Sequence, residues 1–131
     1  MWKDYPLPFH DQAVPAAVLA RVALAKKGMA GFWQAHQALF EHQDELGDDA
    51  LKAIAKGLGL AWSDVQKARK DGRFKDVFDE SEHLARTLKV NGTPCSFVNG
   101  LRVAGAVPAE QLAAVIDQQL AKARASASSK P

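Results

Sequence analysis

A chain of 131 residues with 47% hydrophobic and 24% charged positions has ordinary globular composition and suits one domain with a real core. A net charge of +2 is too small to argue for nucleic acid or an anionic membrane as partner, and no apolar run is long enough to span a bilayer. The single cysteine, Cys95, excludes an internal disulfide and a Cys-rich metal site.

Taken in order, residues 2–5 are a short strand candidate that Pro6 and Pro8 end. Asp11 reads as a helix cap, with Pro15 in the first turn, where its missing N–H costs nothing. Val14, Val18, Leu19 and Val22 recur at helical spacing until Gly28 stops the element. A second helix is predicted over about 30–43, with Phe32, His36, Leu39 and Phe40 on one side. Gly47 breaks the chain, and Asp48 or Asp49 caps a third helix holding Leu51, Ile54, Ala55 and Leu58. Gly57 and Gly59 end it. A short helix over 62–69 starts near Ser63 or Asp64. Gly72 separates it from a longer one striped by Phe74, Val77, Phe78, Ser81, Leu84, Ala85 and Leu88. Lys67, Arg69, Lys70, Arg73 and Lys75 are interrupted by Asp71 and Asp76 and read as a solvated face.

The most informative stretch is Val90-Asn91-Gly92-Thr93-Pro94-Cys95-Ser96-Phe97-Val98-Asn99-Gly100. Asn99-Gly100 is a strong two-residue hairpin signal between an apolar strand and a returning strand over 101–104. Pro94 cannot donate to a ladder and so belongs at the strand's first position. Pro108 then opens a last helix with Leu112, Val115, Ile116 and Leu120 inward, and 125–131 reads as a disordered tail.

Thr-Pro before an apolar strand, Asn-Gly, a second strand, Gly105 and a Pro108-started helix resemble the end of a DsbA-like thioredoxin-fold domain. Trp2-Lys3-Asp4-Tyr5-Pro6-Leu7-Pro8-Phe9-His10 is similar to that family's entry into its helical insertion. Gly31-Phe32-Trp33-Gln34-Ala35-His36 with Leu39-Phe40 resembles a stretch inside it. The resemblance implies an α/β thioredoxin-like fold of the DsbA type, mostly helical with about three short strands. It implies one domain over 1–124, with the insertion over about 11–89 and the hairpin and helix over about 90–124. The family's first β-α unit, which carries Cys-x-x-Cys, has no counterpart in this sequence.

The family activity is thiol–disulfide exchange on protein or peptide substrates, and in the family a loop like Thr93-Pro94 receives the substrate. Thr93 and Pro94 are therefore the candidate substrate-binding residues. Two-cysteine exchange needs one thiolate to attack and another to resolve, so a chain with Cys95 alone is expected not to perform it. Cys95 reads first as a small apolar filler and is only a weak monothiol candidate, since no positive neighbour in sequence activates it. No catalytic residue is assigned, and neither a cofactor nor a metal is expected.

Without the first strand, the strands at 2–5 and 95–98 would flank a vacant slot. Direct pairing could close it, a second copy or a partner chain could fill it, or the natural protein could be longer. Met1 falls where the family's strand usually carries a β-branched residue, which favours the last outcome. The rival class is a non-catalytic module that binds a peptide or partner at Thr93-Pro94 and the open sheet edge. No signal peptide precedes Trp2, so the chain as written is expected in the cytoplasm; a fragment of a longer family member would be periplasmic or extracytoplasmic.

His10, His36, His42 and His83 have no metal-ligand spacing. His36 reads as a packing histidine and His83 as part of a solvated face, while Asp44, Glu45, Asp48 and Asp49 are explained by capping and the helix dipole. Trp2, Trp33 and Trp62 read as core or rim aromatics.

Overall fold

The computed structural model describes residues 1–128. In chain order it contains α1 (Ala13–Glu41), a 3-10 turn (Gln43–Glu45), α2 (Asp48–Gly57), α3 (Trp62–Lys70), α4 (Lys75–Thr87), β1 (Cys95–Val98), β2 (Leu101–Ala104) and α5 (Ala109–Ser128). Contacts divide the chain into two compact units, Met1–Leu84 and Ala85–Pro131.

The first unit is built on α1, which packs on α2 and α3. The two helices expected at 11–28 and 30–43 are one element broken at Gly28, whose φ of 66° and ψ of −161° leave the helical region. A side chain there would be strained, so glycine is the residue that permits the break. Val18, Leu19, Val22, Phe32 and Ala35 meet Leu51, Ile54, Ala55, Leu60, Val65 and Ala68 in a continuous core. Leu19, Leu51, Val22 and Val65 are the largest fully buried side chains, and such burial is worth about 1.5–3 kcal/mol each. Two residues of the expected stripes stay outside it: Val14 is 49% exposed and Phe40 60%.

Caps differ from the expectation at the N-termini and agree with it at the C-termini. Gln12, Gly47 and Ala61 hold the N-cap positions with no side-chain bond, so Asp11, Ser63 and the Asp48/Asp49 pair are not caps. Asp48, Asp49 and Asp64 lie in first turns instead, where a carboxylate complements the positive helix end. After α2, the Leu60 N–H reaches the Ala55 carbonyl at 2.8 Å and the Gly59 N–H that of Lys56 at 2.9 Å. After α3 the same pair of bonds runs from Arg73 to Ala68 and from Gly72 to Arg69. Both are Schellman closures with a positive-φ glycine at the turning residue. After α4 the pattern repeats, from Val90 to Ala85 and from Lys89 to Arg86, with Lys89 at φ 53° in the glycine's place.

Residues 2–5 form no strand. The segment is held by side chains instead: the Arg21 guanidinium pairs with the Asp4 carboxylate, and Trp2 Nε1 donates to Asp4 Oδ1 at 3.0 Å. Alternating residue types make a strand possible, but a ladder partner makes it real. Among the described residues the sheet has two strands, not about three.

In the second unit β1 and β2 form an antiparallel hairpin in the register Cys95↔Ala104, Ser96↔Val103, Phe97↔Arg102 and Val98↔Leu101. Asn99 and Gly100 have φ of 49° and 85°, the two positive values that a type I′ turn requires. Helix α5 contacts β1. Its buried residue is Gln119, with Leu112 and Val115 half-buried, whereas Ile116 is 40% and Leu120 47% exposed. The inward line therefore runs 112–115–119, and two of the four residues expected inward flank it. The helix continues to Ser128, so 125–128 of the expected tail are helical; 129–131 lie outside the described residues.

Candidate functional site

The hairpin turn fixes which backbone groups are free. With Val98 and Leu101 flanking a two-residue turn, the pairs that exchange hydrogen bonds are Val98–Leu101, Ser96–Val103 and Pro94–Gly105. The Gly105 N–H to Pro94 carbonyl bond, at 2.9 Å, fits this phase. By alternation, the N–H and C=O groups of Cys95 and Phe97 point away from β2. Pro94 begins this outer edge, lacks an N–H, and spends its carbonyl on Gly105. The Thr93–Pro94 peptide bond is cis. Thr93 and Pro94 are exposed, and Phe97 is 41% exposed. The edge is thus a short row of two N–H donors and two carbonyl acceptors beside an exposed Thr-Pro loop.

Cys95 shares a sheet face with Phe97, Arg102 and Ala104, while Ser96, Val98, Leu101 and Val103 share the other. Its thiol is free and half-buried, so it is neither the fully buried filler of the sequence reading nor an open surface thiol. On the opposite face a shallow hollow is lined by Val98, Asn99, Ile116, Gln119, Leu120 and Ala123. Arg102 donates to the Lys89 carbonyl at 3.0 Å, which ties the start of the 90–95 loop to β2.

A second constellation lies in the first unit. His36 touches four aromatic rings: Trp2 at 4.8 Å between centroids, Phe40 at 4.8 Å, Trp33 at 5.3 Å and Phe32 at 6.1 Å. Burial lowers its pKa from the usual 6.5, because the charged imidazolium loses water that the rings do not replace. Phe32 is buried, but Trp2 and Trp33 are 43% and 47% exposed. The expectation of a packing histidine and rim tryptophans describes this arrangement. What the sequence reading missed is that the rings form one cluster, although 28–40 carry no Asp, Glu, Lys or Arg and so signalled a low-polarity surface.

The remaining candidates carry no chemistry. His42 Nδ1 lies 2.9 Å from the Ala38 carbonyl, and His10 packs on Phe9. Arg69 pairs with Asp48, and Lys75 with Asp79. Among the described residues no group of three or more His, Cys, Asp or Glu could hold a metal ion, and no helix is long and apolar enough to cross a membrane.

A family model described as a DSBA-like thioredoxin domain matches residues 4–117, most of the chain. The chain belongs to that family. The DSBA-like family is of the thiol–disulfide oxidoreductase type, and the positions singled out at Thr93, Pro94 and Cys95 lie inside the matched region. Curated relatives carry a different name. One, "Na(+)/H(+) antiporter NhaA 3" of Salinispora tropica, is 34% identical over 125 residues, covering 95% of this chain and 19% of that protein. "Na(+)/H(+) antiporter NhaA 1" of Mycolicibacterium vanbaalenii is 34% identical over 109 residues, covering 80% of this chain and 17% of that protein. The chain therefore spans about a fifth of these relatives' length. No solved structure matches.

Proposed function

We propose that this chain is the polypeptide-docking part of a DSBA-type thiol–disulfide exchange domain, and that it does not itself turn over dithiol exchange. The observation that carries the reading is the outer edge of β1, where Cys95 and Phe97 direct their backbone N–H and C=O groups away from β2 beside exposed Thr93 and Pro94. An extended segment laid along that edge gains main-chain hydrogen bonds without regard to its side chains, which suits an unfolded or partly folded protein substrate.

With one cysteine, Cys95 can at most attack a disulfide as its thiolate, form a mixed disulfide and release the other sulfur as a thiolate. No second thiol in the 131 residues can then expel it. A full cycle draws on cysteines outside this sequence. The match to about a fifth of proteins named as Na(+)/H(+) antiporters supports a role as a module within a larger transporter-type polypeptide.

The test is titration of the isotope-labelled chain with an extended, cysteine-free peptide, followed by amide NMR, together with an insulin-reduction assay. The expected result is that the Cys95 and Phe97 amides shift and gain protection from exchange while Ser96 and Val98 do not, with no insulin turnover. Insulin reduction at an enzymatic rate would overturn the non-catalytic part; shifts absent from Cys95 and Phe97 would overturn the docking part. Intact mass of the native protein from its host tests the module reading, since 14.1 kDa would count against it.

The second reading, a non-catalytic binding module, rests on the same edge. It is favoured if peptide binding persists and no Cys-x-x-Cys exists in the native polypeptide.

A further inference from the structure

The second half of α1 presents an apolar line to solvent. Met29, Trp33, His36 and Phe40 are separated by four, three and four residues, the spacing that puts side chains on one helix face. Met29 is 54%, Trp33 47% and Phe40 60% exposed, and Trp2, 43% exposed, lies against Trp33 and His36. Half-exposed aromatics and a methionine leave on the order of 400 Å² of apolar surface uncovered, enough to mark a contact site.

Two features select the occupant. First, the helix carries no charged side chain from Gly28 to Phe40, in a chain 24% charged. Two copies of this face therefore meet without like-charge repulsion, and its enrichment in Trp, Phe and Met with loss of charge is the composition of an interface core. Second, the 4–3–4 spacing reads the same in both directions. An antiparallel pair about a two-fold axis sets Met29 opposite Phe40 of the second copy and Trp33 opposite His36 of the second copy, so that every member of the line finds an apolar or aromatic partner. Two such faces with their neutral rim of Ala30, Gln34 and Gln37 bury about 1,000 Å² in total, the low end for a specific association.

We infer that this chain self-associates weakly through an antiparallel pairing of the 29–40 face of α1. The contact is independent of the polypeptide-docking reading, because it uses none of Thr93, Pro94 or Cys95.

Sedimentation equilibrium of the 131-residue chain from micromolar to millimolar concentration tests it. The expected mass rises from 14.1 kDa toward twice that value. Met29→Glu places an unpaired carboxylate in the seam and should weaken association by about tenfold or more; Phe40→Glu, also at an exposed residue, should do the same, and Lys52→Glu on α2 should not. In a Cys95→Ser background, diamide should cross-link a Met29→Cys chain to a Phe40→Cys chain. Met29→Cys should not link to itself, because the two copies of residue 29 lie about 16 Å apart along the antiparallel pair. A mass of 14.1 kDa at every concentration, a dimer untouched by both glutamate variants, or self-linking as efficient as cross-linking would each overturn the proposal.

Discussion

Arg21 of α1 closes its guanidinium on the carboxylate of Asp4, which is 7% exposed, and that contact holds the N-terminal segment on the helix. Trp2 donates to the other carboxylate oxygen of Asp4. One buried carboxylate thus positions both the segment and the tryptophan that enters the His36 cluster.

Removing one partner of such a pair leaves the other buried and uncompensated. Asp4→Ala is expected to cost about 3–5 kcal/mol in urea unfolding. Asp4→Leu combined with Arg21→Met should cost less than Asp4→Ala alone, because no charge remains to be solvated. A double substitution more damaging than the single one would show that the pair does more than neutralise itself.

His36 gives the fold a pH dependence with a defined sign. Its folded-state pKa lies below 6.5 because of burial, so the unfolded chain binds the proton more readily. Stability contributed by this group is complete above pH 6.5 and falls as the pH drops below it. The midpoint of urea unfolding should decrease more steeply between pH 7 and pH 5 for the native chain than for His36→Gln. Parallel curves would remove His36 as the cause.

The two glycines of the α1 break are constrained for different reasons. A Cβ on Gly31 would lie 2.4 Å from the Lys27 Cβ and 3.0 Å from the Ala23 carbonyl oxygen. Gly31→Ala should cost about 1–3 kcal/mol by overpacking. At Gly28 a Cβ meets nothing within 4 Å, and the cost arises from the positive φ alone. Gly28→Ala should therefore destabilise by about 1–2 kcal/mol. Equal unfolding midpoints for Gly31→Ala and the native chain would refute the steric account.

Lys89 offers the opposite case. It occupies, at φ 53°, the turning position that glycine holds after α2 and α3. Lys89→Gly removes the left-handed strain and keeps the carbonyl that accepts from Arg102. The variant should be more stable by about 0.5–1 kcal/mol, the strain relieved less the entropy of a new glycine. Thermal unfolding of the pair decides it.

The hairpin phase predicts hydrogen exchange in the unliganded chain. The Ser96 and Val98 amides, bonded to β2, should exchange slowly, and those of Cys95 and Phe97 should exchange near the unstructured rate. Uniform protection across β1 would mean that its outer edge is covered.

Local signals settled much of this protein. The 3.6-residue periods at Val18, Leu19 and Val22 and at Leu51, Ile54 and Ala55 named core residues correctly, because a helix that buries one face repeats it. Asn99-Gly100 named the hairpin and its register, because few residues tolerate two positive φ values in succession. The order of Thr93-Pro94, the hairpin and the Pro108 helix identified the family. Tertiary structure decided the rest. Whether 2–5 became a strand depended on a ladder partner, not on Trp2 or Tyr5, and the buried Asp4–Arg21 contact held the segment instead. Whether Ile116 and Leu120 or Gln119 faced inward depended on how α5 was rotated against β1, since side chains of either polarity fit the same periodic line. The gathering of Trp2 with Phe32, Trp33, His36 and Phe40 joined residues some 30 to 38 positions apart in sequence, a proximity that spacing along one helix cannot encode.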